Sequence, residues 1–132
     1  MVVGDEGART IVDYRDLDVW NEAMALAADI YGATRSFPKE ELFGMTSQMR
    51  RSAVSIPSNI AEGFGREQTR SFIQFLRIAQ GSLKELETQV LLCVRVGLMR
   101  EVVADPLAGR CERIGKMLRA LVRALEKKEH SR

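Results

Sequence analysis

Histidine is almost missing from this chain: there is one, His130, close to the end. A His-based catalytic triad or a histidine metal cluster has no material to work with. Cysteine is nearly as scarce. Cys93 and Cys111 lack CxxC spacing and sit in apolar helical patterns. They read as buried, reduced thiols, which fits a cytoplasmic protein. Three prolines and no dense Val/Ile/Thr runs argue against an all-β fold. Aromatics make up 6% of the residues. The aromatic pair of RNA-recognition sheets, the GXXG loop and zinc spacings are absent, as are GxGxxG and Walker A. No window approaches the ~20 apolar residues of a membrane span, so no membrane partner is expected. MVVGDEGART has no basic start followed by an apolar run. Ser36–Lys39 spells SxxK without the fold context that gives that string chemistry. Together these gaps argue against an enzyme and against any metal or cofactor.

What is present is periodicity. With 45% hydrophobic and 29% charged residues in 132, the chain has enough apolar material for one soluble domain. Residues 1–14 read as a flexible lead, 15–128 as the domain and 129–132 as a frayed tail. The first helix is expected from a cap at Asp16 or Asp18, ending at Ser36-Phe37-Pro38. It carries two stripes: Leu17, Trp20, Met24, Ala27, Tyr31, and Val19, Ala23, Leu26, Ile30. The second is expected over about residues 40–62, with Leu42, Met45, Met49, Ala53, Ile56, Ile60 and Phe64 inward, and Gly63 and Gly65 stopping it. The third alternates steps of four and three through Phe72, Leu76, Ala79, Leu83, Leu86, Val90, Cys93 and Gly97, a heptad seam. Thr69 or Ser71 is its expected cap, Ser71 and Gln74 matching capping-box spacing. Asp105-Pro106 is expected to open the fourth, with Leu107, Cys111, Ile114, Met117, Leu118, Leu121 and Leu125 on one face. The fold class is therefore all-α: an antiparallel up-down-up-down four-helix bundle.

Charge is unevenly spread. Net charge is +2 overall, but residues 1–34 carry −5, 35–84 carry +4, 85–104 carry −1 and 105–132 carry +4. At about 100° per residue, Arg70, Arg77, Lys84 and Arg95 form one line on the third helix, away from the seam. Lys116, Arg119, Arg123 and Lys127 cluster on the fourth. Two readings stand: basic ridges that contact phosphates, or ordinary solvated helix faces, with Glu85, Glu112 and Glu126 diluting the charge. Tyr31, Phe72 and Phe75 read as core rather than base-stacking platforms. Glu62 reads as a capping or salt-bridge partner rather than a base.

The stretch RRSAVSIPSNIAEGFGR, residues 50–66, puts a proline inside a helical pattern. Pro57 has no N–H for the carbonyl of Ala53 and its ring crowds that carbonyl. Ser55, Ser58 and Asn59 are placed to bond freed backbone groups. Arg50, Val54, Pro57 and Ala61 form a second, narrow seam beside the core, which suggests a subunit interface.

Four strings carry a family resemblance: YRDLDVWNEAM (Tyr14–Met24), SFPKEELFGMTSQMRRSAVSIPSNIAEGFGR (Ser36–Arg66), TRSFIQFLRIAQGSLKELETQ (Thr69–Gln89) and, more loosely, the fourth helix. The chain resembles the four-helix bundle proteins first noticed as reading frames within intervening sequences of bacterial 23S rRNA genes. It is also similar to the accessory protein of diversity-generating retroelements. The resemblance implies an antiparallel bundle that assembles as a homopentamer. It implies structured RNA or other nucleic acid as a partner, or alternatively a protein such as a polymerase or reverse transcriptase. Arg50, Arg51, Pro57, Ser58, Asn59, Glu62, Gly63 and Arg66 carry the motif in this chain, and the resemblance leaves both binding and assembly open as its role.

Overall fold

The computed structural model describes residues 10–131. Among them are four α-helices, α1 (Asp18–Thr34), α2 (Met45–Gly65), α3 (Thr69–Arg95) and α4 (Glu101–His130), and no strand. Short 3-10 turns, Tyr14–Asp16 and Lys39–Glu41, precede α1 and α2.

The inward stripes meet in one core. Val19, Ala23, Leu26 and Ile30 of α1 join Met49, Ala53, Ile56 and Ile60 of α2. Phe72 through Cys93 of α3 and Leu107 through Leu125 of α4 complete it, every heptad position from Phe72 to Cys93 being buried. Burying such an aliphatic side chain stabilises the fold by ~1.5–3 kcal/mol, which outweighs the weak intrinsic preferences of individual turns. The first stripe of α1 is divided: Leu17 and Ala27 join the core and Trp20 packs against it, while Met24 and Tyr31 are exposed.

The helices pack in sequence order and close on themselves, with α1 against α2 and α4, and α3 against α2 and α4. From α2 to α3 and from α3 to α4, contacts descend one helix as they ascend the next. Phe64 meets Phe72 edge-on, Ser55 bonds Ser82, Ser52 bonds Glu85, and Met49 meets Cys93. Between α3 and α4, Arg70 pairs with Glu129 and Arg77 with Glu126.

Several boundaries differ from the periodicity. Residues 10–14 of the expected lead are described, and Ile11 among them is fully buried. Asp13 and Asp16 form a capping box on the first turn rather than capping α1, and the Asn21 amide donates to the carbonyls of Arg15 and Leu17 to tie that turn down. Residues 1–9 lie outside the described residues. Helix α2 begins at Met45, since Gly44 has a non-helical backbone; Leu42 lies outside the helix and is exposed. The Glu41 carboxylate accepts the Met45 N–H at 3.1 Å in place of a conventional cap. Gly63 lies inside α2, whose last residue is Gly65; the left-handed position falls on Glu67, φ 58°. No side chain caps α3. Gly97 closes that helix with φ +80° rather than joining the seam. The N–H groups of Gly97 and Leu98 reach back to the carbonyls of Val94 and Cys93, a Schellman ending. Pro106 lies inside α4, which starts at Glu101. Its missing N–H leaves the carbonyl of Val102, an exposed residue, without that helical partner. The expected frayed tail is helical through His130, with Glu129 held by Arg70.

Candidate functional site

Two faces of the molecule stand out, and they lie on opposite sides. The first runs along α3 and α4. Lys84 and Arg119 line one depression with Glu87 and Glu112, so the two sequence-predicted ridges converge. Half of the predicted cations are occupied. Arg70 holds Glu129 at 3.0 Å and Arg77 holds Glu126 at 2.9 Å, each across the interhelical groove. Lys84 pairs with Glu87 at 3.3 Å and Lys116 with Glu112 at 3.5 Å, each along its own helix. Arg119, Arg123 and Lys127 are exposed and have no ion-pair partner among the described residues. Arg95 is equally unpaired but sits in the last turn of α3, beyond this ladder. Exposed pairs of this kind contribute only ~0–1 kcal/mol, so a polyanion can displace them.

The second face runs along α1 and α2. An apolar slot of about 450 Å³ is lined by Tyr14, Trp20, Met24, Ala27, Ala28, Tyr31, Val54, Pro57, Ser58 and Ala61. The exposed stripe of α1 thus meets the narrow seam of α2. A second depression continues past Tyr31 and Val54 to Leu42, Phe43, Thr46, Ser47, Arg50, Arg51 and Ser55.

The proline motif divides between two neighbours. Towards α1, Arg50 is clamped: its guanidinium lies 4.5 Å over the Tyr31 ring and its Nε donates to Thr34 Oγ1 at 2.9 Å. Tyr31 is therefore a stacking partner at the surface, not core. Arg51, next in sequence, is exposed and unpaired among the described residues. Val54, Pro57, Ser58 and Ala61 face the slot. Towards α3, the Asn59 amide donates to the Ser55 carbonyl at 2.8 Å and to its hydroxyl at 2.9 Å, while that hydroxyl meets Ser82. These bonds lock α2 to α3; they do not reach the Ala53 carbonyl that Pro57 leaves free. Ser58 makes no side-chain bond among the described residues. Glu62 pairs with Arg66 at 3.2 Å, and Arg66 lies over the Phe75 ring. Gly63 is buried against Phe72 and Phe75. The motif reads as helix packing on one side and an open apolar surface on the other.

Nucleophiles are quiet. Burial pushes the Cys111 thiol up to about 12 and raises Cys93 as well. Asp13 is held below the usual carboxylate range by its hydrogen bond from Arg15. Among the described residues no three His, Cys, Asp or Glu side chains group to hold a metal ion, and no helix is long and apolar enough to cross a membrane. The exposed Phe43 is the feature that sequence periodicity missed; its only signal is an apolar Leu-Phe pair set between a turn and a glycine.

These features define an all-helical protein with one apolar and one basic face. The chain belongs to the 23S rRNA-intervening sequence protein family, which it matches over residues 15–120. No curated protein matches it significantly. Its fold is similar to the crystal structure of a protein of unknown function from the S23 ribosomal protein family of Bacteroides thetaiotaomicron. The TM-score is 0.71 and identity 24%, covering 79% of this chain and 97% of that one.

Proposed function

We propose that this chain is a non-enzymatic, cytoplasmic, up-down-up-down antiparallel bundle that assembles into a homo-oligomer, five-fold as the family resemblance implies. Its basic α3–α4 face binds structured RNA. The observation that carries this reading is the row Arg119, Arg123 and Lys127, exposed cations with no carboxylate to satisfy them. Repetition around an oligomer multiplies a weak face into useful avidity. A single ridge with interleaved glutamates is too weak alone.

Gel shifts against 23S rRNA fragments at several salt concentrations test it, run beside light scattering for mass. The triple variant Arg119→Glu, Arg123→Glu, Lys127→Glu removes three contacts per chain. Each lost phosphate contact flattens the salt slope by ~0.7–0.9. Unchanged affinity and slope would sink the assignment.

A second reading, an adaptor for a protein such as a polymerase, is favoured by a specific observation. Arg70, Arg77, Lys84 and Lys116 already hold carboxylates. Under that reading RNA binds weakly and without saturation, and the triple variant changes nothing.

A further inference from the structure

We propose that Phe43 of one copy of this chain plugs into the apolar slot between α1 and α2 of the next copy. This rests on the homo-oligomer reading above and names the contact that builds it. Phe43 is 93% exposed, and Leu42 beside it is 51% exposed. The pair is presented by defined backbone: the turn Lys39–Glu41 on one side, and on the other Gly44, with the Glu41 carboxylate bonded to the Met45 N–H. An aromatic held out in this way is a preformed anchor, with little conformational entropy left to lose on docking.

The slot has room for a phenyl ring. Trp20, Met24, Tyr31, Val54, Pro57 and Ala61 line about 450 Å³, whereas a cavity of about 150 Å³ already takes a benzene ring. Phe43 does not enter the slot of its own chain; it borders only the neighbouring depression. A foreign chain is not needed to explain the surface, because anchor and receptor are both present on this one.

Charge selects the same occupant. Arg50 and Arg51 line the same depression as the anchor, and the turn that presents it carries Lys39 against Glu40 and Glu41. Around the Trp20 end of the slot lie Asp13, Asp16, Asp18 and Glu22, against Arg15, which pairs with Asp13, and Arg113, which pairs with Glu22 at 3.6 Å. A basic knob therefore meets an acidic mouth when two copies dock, which steers the encounter and fixes its register. Knob and slot are different residues, so the contact is made either reciprocally across a two-fold axis or head to tail around a ring.

The test uses the full chain. Light scattering at micromolar concentration compares wild type with Phe43→Asp, and circular dichroism checks the helices of both. The expected result is an oligomeric wild type and a monomeric, fully helical variant. In parallel, Phe43→Cys and Ser58→Cys chains are mixed under mild oxidation. The expected product is a disulfide-linked dimer formed in the mixture and not by either variant alone. An oligomer that keeps its mass in Phe43→Asp, or a mixture that fails to cross-link, overturns the plug and leaves the homo-oligomer reading standing. A monomeric wild type overturns both.

Discussion

Gly63→Ala should loosen the fold although alanine is the better helix former. A Cβ built on Gly63 would lie 2.5 Å from the Cβ of Phe75, 3.1 Å from Cδ1 of Phe72 and 3.2 Å from Cγ of Phe75. Ordinary carbon contacts are about 3.5–4.0 Å, so the shortest contact is at least an ångström too close. The clashing Phe75 atom is next to the backbone and cannot swing aside by changing rotamer. Helices α2 and α3 must therefore move apart, opening the edge-to-face contact of Phe64 on Phe72, now 5.8 Å between centroids. Overpacking of this kind costs about 1–3 kcal/mol, and the gain in helix propensity returns about 1 kcal/mol. A 2.5 Å contact with an atom that cannot rotate away belongs at the upper end of that cost, so the net expectation is a loss of about 2 kcal/mol. Gly81→Ala is the matched control: the same change, also inside a helix, with nothing within 4 Å of the new methyl. It should gain up to about 1 kcal/mol. Urea denaturation followed by helical circular dichroism measures both. If Gly63→Ala proves as stable as wild type, or moves with Gly81→Ala, the close-approach argument is wrong.

Further outcomes follow from the same structure. Arg50→Lys keeps the charge but loses the planar stack on Tyr31 and the fork that reaches Thr34, so α1–α2 packing should weaken by about 1 kcal/mol in urea melts. Asp16→Ala removes the acceptor for the Val12 and Asp13 N–H groups and should cost about 1 kcal/mol, detectable as faster amide exchange around Ile11. The Cys111 thiol has its folded pKa raised to about 12 by burial, from 9.0. The folded state therefore holds its proton where the unfolded state ionises: this contribution is intact below pH 9 and fades between pH 9 and about 12. Stability should fall across that window by at most ~1.4 kcal/mol per pH unit, and more steeply in wild type than in Cys111→Ala. A thiol reagent at pH 8 should modify neither cysteine until the protein is unfolded.

The four helices were legible because each carries an uninterrupted inward stripe. From Phe72 to Cys93 the steps of four and three leave no other way to bury the apolar side chains. Helix ends were less legible. The cap at Asp13, the left-handed Glu67 and the internal Pro106 depend on backbone groups satisfied by neighbours several residues away, which a periodic pattern does not encode. The motif around Pro57 was recognisable as a family signature, but its division between α1 and α3 was not. Sequence placed Arg50 and Arg51 side by side as equal candidates. Packing makes one a clamp on Tyr31 and Thr34 and leaves the other in solvent.

By itself, then, the sequence determined an all-α chain and the inward faces of its helices, since these follow from residue type and local spacing. Only the tertiary structure decided which cations are free and which apolar stripe is left uncovered. Those depend on the helix that lies alongside: Glu126 and Glu129 are 49 and 59 residues from the arginines they neutralise. The outer stripe of α1 becomes a slot only because the Pro57 seam packs beside it.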